Sequence, residues 1–127
     1  MITGLRAIAV VTVGVLTVAS PSFAHHTWAV DRTRDVTVKG TVTRVDWSNP
    51  HVQIFLDAKD DNGKVEKWTA GGPSTGRMEG SSWDKNTLKP GDMITAVGHR
   101  ATDGSNLLRV RKIVLADGLE LTGYGNR

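Results

Sequence analysis

The sequence predicts an all-β domain, a small five-stranded Greek-key barrel carrying at most one short helix. Three observations predict it. Val52, Ile54, Leu56 and Ala58 alternate with His51, Gln53, Phe55 and Asp57, the two-residue period of a half-buried strand. Asp60-Asp61-Asn62-Gly63, Leu88-Lys89-Pro90-Gly91-Asp92 and Thr102-Asp103-Gly104-Ser105 punctuate the chain with residues that favour tight turns. Only Ser74 to Glu79 reads as helical.

In chain order, His25 to Arg34 has no sustained period and is expected to be an extended lead-in lying against the barrel. From Asp35, Val36, Val38 and Val42 share a face with Gly40 in phase, and then Val45 and Trp47 fall on the opposite parity. A straight strand cannot bury both sets. A β-bulge near Thr43 and Arg44, or a bend at Gly40, is therefore expected in a long first strand. Ser48-Asn49-Pro50 ends it in a turn, which should set Trp47 and His51 face to face at the mouth of the central hairpin. Strand two follows to Ala58, and strand three runs from Lys64 to Ala70 until Gly71-Gly72-Pro73 stops it. Ser74 caps a helix weakened by Gly76 and Gly80. Strand four spans Met93 to Ala101, strand five Leu107 to Leu115, and Asp117-Gly118 allows a short terminal ribbon at Leu119 to Leu121. Three strands, a helix and two strands is the element order of an OB-fold, with a small antiparallel sandwich as the rival. Residues 123–127 have nothing to bury and form a loose tail.

The segment before this domain has a different character. Arg6 followed by an apolar run from Ala7 to Ala19, shorter than the roughly 20 residues a bilayer crossing needs, resembles a secretory signal peptide. Ser22-Phe23-Ala24 places small residues where a signal peptidase reads. Residues 1–24 are thus expected to be removed, leaving residues 25–127 as one periplasmic or secreted domain with no stable membrane anchor.

Composition narrows the chemistry. There are 16 Lys+Arg against 13 Asp+Glu, and cleavage would remove Arg6, so the mature charge is too mild to imply a nucleic-acid partner. Arg100, Arg109, Arg111 and Lys112 form a potential basic patch that a solvated sheet face explains equally well. Cysteine is absent, which excludes thiolate metal sites and thiol catalysis. No nucleophile elbow, His-Glu-x-x-His or phosphate loop is present; Gly71-Gly72-Pro73-Ser74-Thr75-Gly76 lacks the lysine. No enzymatic template fits.

The order of motifs adds a resemblance. Ala24-His25-His26 after the leader, Trp47-Ser48-Asn49-Pro50-His51 as a Trp-x-Asn-Pro-His motif, Trp68, Trp83 ahead of Leu88-Lys89-Pro90-Gly91-Asp92, and Asp103-Gly104-Ser105 together resemble a family of small secreted bacterial proteins of unknown function. The chain departs from that pattern around the helix, where it reads Gly72-Pro73-Ser74-Thr75 and Ser82-Trp83. The resemblance implies a periplasmic barrel and names no activity.

Two binding readings remain. Cleavage after Ala24 would give His25 a free amine beside its own imidazole, with His26 adjacent, a chelating set of nitrogens that suits Cu(II) above Ni(II) or Zn(II). If the lead-in runs back along strand one, its length of at most about 33 Å lets these groups reach His51. His99 has no visible partner in the sequence and reads as a strand residue with a polar tip. The alternative is a non-catalytic domain that holds an envelope glycan or peptide on Trp28, Trp47, Trp68 and Trp83, although a domain without disulfides also needs such side chains for its core.

Overall fold

The computed structural model describes residues 28–122, so the expected signal peptide, His25, His26 and the expected 123–127 tail lie outside the described residues. The strands are β1 (Val36–Asp46), β2 (Gln53–Lys59), β3 (Val65–Gly71), β4 (Met93–Arg100), β5 (Leu107–Leu115) and β6 (Glu120–Thr122), with α1 (Thr75–Glu79) between β3 and β4. The sheet order is β3-β2-β1-β4-β5-β6, and a parallel pairing of β3 with β5 closes the first five strands into a barrel. This is the OB-like architecture that the element order predicts, with β6 as the short ribbon after it.

β1 serves both halves of the barrel. Gly40 to Asp46 pairs with β2, while Val36 to Thr41 pairs with β4. At the handover a Cβ on Gly40 would sit 2.6 Å from the Asp57 carbonyl oxygen, so the close approach of the two backbones requires glycine. Just beyond, the register moves from Val42 opposite Leu56 to Arg44 opposite Phe55, leaving Thr43 as the extra residue of a β-bulge. Thr43 Oγ1 donates to the Phe55 carbonyl at 3.2 Å. The bulge switches the inward parity from Val38 and Val42 to Val45 and Trp47. Without it Arg44 and Asp46 would point into the core, at the cost of several kcal/mol for each buried charge.

A second register shift lies between β4 and β5, where Val97 faces Lys112 and Gly98 faces Val110, so Arg111 is the extra residue. Gly98 has no room for a side chain there: a Cβ would fall 2.0 Å from the Arg109 carbonyl oxygen.

The core fills from both ends of the barrel. Val42, Ile54, Leu56, Ala70, Ile94, Ala96, Leu108, Val110 and Ile113 are buried from the strands, and Met78, Trp83 and Leu88 are buried from the α1 region. Ser74 caps α1 as expected, its hydroxyl accepting from the Arg77 amide at 3.4 Å. The departure from the family pattern around this segment therefore does not cost the chain its helix.

The lead-in does lie against the barrel, but beside β4 and not alongside β1. Val30 bridges Ala101, the Asp31 amide donates to the Arg100 carbonyl at 2.9 Å, and the Thr102 amide donates to the Ala29 carbonyl at 3.0 Å. The reason is that both edges of β1 are already occupied, whereas the end of β4 still offers unpaired backbone groups.

Turn carboxylates tighten the ends. Ser105 donates to Asp103, and Thr33 donates to Asp31, each pair holding its carboxyl below the ordinary carboxylate range. A depressed folded pKa contributes stability above the unfolded value, and that contribution disappears as pH falls through the folded value. Asp103→Asn, which mimics the protonated acid, should therefore be less stable than wild type at neutral pH, with the difference shrinking as pH falls through the folded value. Urea melts at pH 7 and pH 2.5 test this; an equal difference at both would show that charge is not involved. Gly40→Ala should lower stability by about 1–3 kcal/mol through overpacking against β2. At about 4–8 °C per kcal/mol for a domain of this size, a thermal melt resolves that loss, and an unchanged melt would deny the close approach.

Candidate functional site

The bulge at Thr43 decides which hairpin residues are available. Val45 lies opposite Ile54, and Asp46 lies opposite Gln53. Alternation from those pairs sends Trp47 inward with Val52 and leaves Asp46, His51 and Gln53 on the outer face. The expectation that Trp47 and His51 face each other is thus corrected. Trp47 packs against the core in a crevice with Val45, Val52, Met78 and Trp83, and His51 turns to the other side.

His51 is held there by three elements. Its Nδ1 lies 3.2 Å from the Gly72 carbonyl oxygen. Because a carbonyl only accepts, Nδ1 is the donor, and in the neutral ring the lone pair is on Nε2. The Gly72 carbonyl is itself fixed, since the Gly72 amide donates to Val52 at 2.8 Å and the Val52 amide donates to Pro73 at 2.9 Å. The turn before His51 contains a cis Asn49-Pro50 peptide. Asn49 Oδ1 accepts from the Thr75 amide at 3.0 Å and the Thr75 hydroxyl at 3.1 Å, tying the turn to the start of α1.

The third element is the lead-in. The Trp28 ring stands 5.1 Å from the His51 ring, centroid to centroid, with the planes tilted by 36°. Trp28 occupies a slot over Gly71, where a Cβ would lie 1.6 Å from the indole. Gly71 thus does more than end β3, the only role its sequence position indicates. Trp28, Asp46, Ser48, Asn49, Pro50, His51 and Gln53 line a cleft of about 320 Å³. Asp46 is absent from the sequence-derived site, although the alternation of Asp46 and Gln53 with Val45 and Ile54 carries the signal once the bulge is placed.

The other candidates are dispersed. Trp68 and Trp83 are buried, at 8% and 3% exposure, so the four tryptophans do not share an exposed stacking face. Trp68 donates through Nε1 to Glu66 at 3.3 Å and lies beneath the Arg100 guanidinium at 5.0 Å. A barrel without disulfides takes these rings for its core, where each large side chain contributes about 1.5–3 kcal/mol. His99 does have a partner: its Nε2 is 3.4 Å from Asp35 Oδ1, and the same carboxylate accepts from Arg111 at 3.0 and 2.8 Å. The basic patch is largely paired. Arg100 donates to the Ser105 and Gly104 carbonyls and to Asn106, and Lys112 binds Glu120 at 3.0 Å. A second cleft, of about 620 Å³, lies between the lead-in and the β4–β5 turn and contains none of the predicted site residues.

Among the described residues, no three His, Cys, Asp or Glu side chains are grouped to hold a metal ion, and no helix is long and apolar enough to cross a membrane. His25 and His26 lie outside those residues, so a three-histidine set has to draw on the segment just before Trp28.

Residues 11–108 match a family model described as a family of unknown function (DUF6152). The chain belongs to that family. No curated protein and no solved structure matches it. Membership accords with the expectation of a family of unknown function, and it carries no activity with it.

Removing the Trp28 slot should be visible at His51. In both Gly71→Ala and Trp28→Leu the His51 ring protons should shift in NMR spectra as the indole's ring current is lost, with Gly71→Ala costing about 1–3 kcal/mol. Unmoved His51 resonances in both variants would show that the two rings are not stacked.

Proposed function

We propose that the exported chain is a periplasmic or secreted metal-binding module that takes Cu(II) through the His25 amine and imidazole, His26 and His51. The observation that supports this reading is the docking of Trp28 against His51, at 5.1 Å between ring centroids. It shortens the tether between the N-terminal histidines and the barrel from the whole lead-in to three residues, a reach of about 10 Å from the Trp28 backbone. His51 is prepared for such a role. Its Nδ1 donates to the Gly72 carbonyl, the orientation by which ligating histidines commonly fix the tautomer that offers Nε2.

The ligand chemistry selects the metal. Amine and imidazole nitrogens bind Cu(II) more tightly than Zn(II), and a structural zinc site would need four protein ligands. His99 does not supply the fourth, since it faces Asp35. The core is complete without a metal, so chelators should leave the domain folded. The glycan or peptide reading loses support from the burial of Trp68 and Trp83.

A Cu(II) titration of the mature protein tests the proposal. Wild type should bind well above a His-His-Thr peptide, and affinity should fall by at least about tenfold in His25→Ala and His51→Ala and when one residue is added before His25. Loss in His25→Ala alone would mean a terminal chelate with no contribution from the barrel. Wild-type binding no stronger than the peptide's would exclude the pre-organised site.

A further inference from the structure

The cleft of about 620 Å³ between the lead-in and the β4–β5 turn stands apart from the metal reading, and its lining divides into two kinds of surface. Val30, Val36 and Ala101 supply half-buried apolar area. Arg32, Arg34 and Arg100 bring three guanidinium groups against the one carboxylate of Asp31, a lining charge of +2. We infer that this cleft binds a small phosphate monoester, its phosphate held by Arg32 and Arg34 and its apolar body laid against the valines.

The positive charge there is not used up by the fold. Arg32 and Arg34 are exposed, and among the described residues neither side chain donates a hydrogen bond or forms an ion pair. Asp31 does not cancel them. Its carboxyl is held low first by the hydroxyl and amide of Thr33, with the Arg34 charge a minor contribution, and its Oδ1 accepts both Thr33 bonds. Arg100 donates to the Ser105 and Gly104 carbonyls and to Asn106 Oδ1 and lies over the Trp68 ring. Those partners are all neutral, so they fix the guanidinium and leave its charge in place. Asp103, the acid of that turn, is outside the lining and accepts from the Ser105 amide at 2.8 Å.

The walls are built without a ligand. Beside the contacts of Val30, Asp31 and Thr102 with their opposite wall, the Ala101 amide donates to Leu107 at 3.0 Å and the Gly104 amide donates to Ala101 at 3.2 Å. Binding therefore has little backbone to order. The volume lies within the range of about 300–1,000 Å³ typical of small-molecule sites. A phosphate monoester carries a charge of about −1.5 to −2 at neutral pH, which matches the lining, and its oxygens accept from the forked donors of two arginines.

The probes are phenyl phosphate, its two halves inorganic phosphate and phenol, and benzoate as a singly charged analogue, each titrated into the exported protein while backbone amide resonances are followed by NMR. Phenyl phosphate should shift the amides of residues 31–34 and 101–104 saturably and bind at least about fivefold more tightly than the other three. Arg32→Gln and Arg34→Gln should each lower its affinity by about fivefold or more, whereas Lys59→Gln, which removes the same charge far from the cleft lining, should leave it unchanged. Both arginines are exposed, so the variants should melt as wild type does. Wild-type affinity in both arginine variants, an equal loss in Lys59→Gln, or shifts scattered away from the cleft would overturn the site. Inorganic phosphate binding as tightly as the ester would overturn the apolar seat, and benzoate binding as tightly would overturn the choice of a phosphate.

Discussion

The β-bulge at Thr43 is the constraint on which the rest of the molecule depends. A straight β1 would carry Val38 and Val42 inward together with Arg44 and Asp46, and no barrel of this size accommodates two charges in its centre. One unpaired residue inverts the phase. Val45 and Trp47 then extend the core toward Met78 and Trp83, and Asp46, with His51 and Gln53 across the turn, is delivered to the outside. The same backbone irregularity therefore completes the packing and creates the polar cleft.

What surrounds that cleft is tied together by contacts that involve no ligand. Asn49 fastens the β1–β2 turn to α1, and Val52 exchanges backbone hydrogen bonds with the Gly72-Pro73 segment. His51 is fixed between the Gly72 carbonyl and the Trp28 ring. In the Trp47-Ser48-Asn49-Pro50-His51 motif, tryptophan packs, asparagine clamps and histidine sits half-buried in the cleft with one nitrogen committed. Such a motif is structural along most of its length, with a single position able to present a ligand atom. A group mounted this way loses little conformational entropy when it binds.

The lead-in is the element whose placement matters most for the proposed metal site. Its backbone adds to the end of β4, and its Trp28 ring reaches across the barrel closure, where Gly71 pairs beside Arg109, to the hairpin mouth. The first described residue of the chain is thereby joined to the central hairpin by an aromatic contact rather than by a strand. Only glycine at position 71 leaves space for it.

The sequence by itself determined the order of elements along the chain, the turns, the capped helix and the need for either a bulge near Thr43 and Arg44 or a bend at Gly40, because each is written in local periodicity or in residues with restricted backbone conformations. β5, for example, occupies the span its alternation predicts, Leu107–Leu115. Tertiary structure decided the partners. That His51 meets Trp28 and not Trp47, that His99 meets Asp35, that Trp68 and Trp83 are enclosed, and that the lead-in follows β4 all depend on register and on which strand edges remain open after the barrel closes. Alternation tells each residue which face it occupies relative to its neighbours. It carries no information on which distant residue shares that face, since a one-residue shift at a bulge reassigns every contact beyond it.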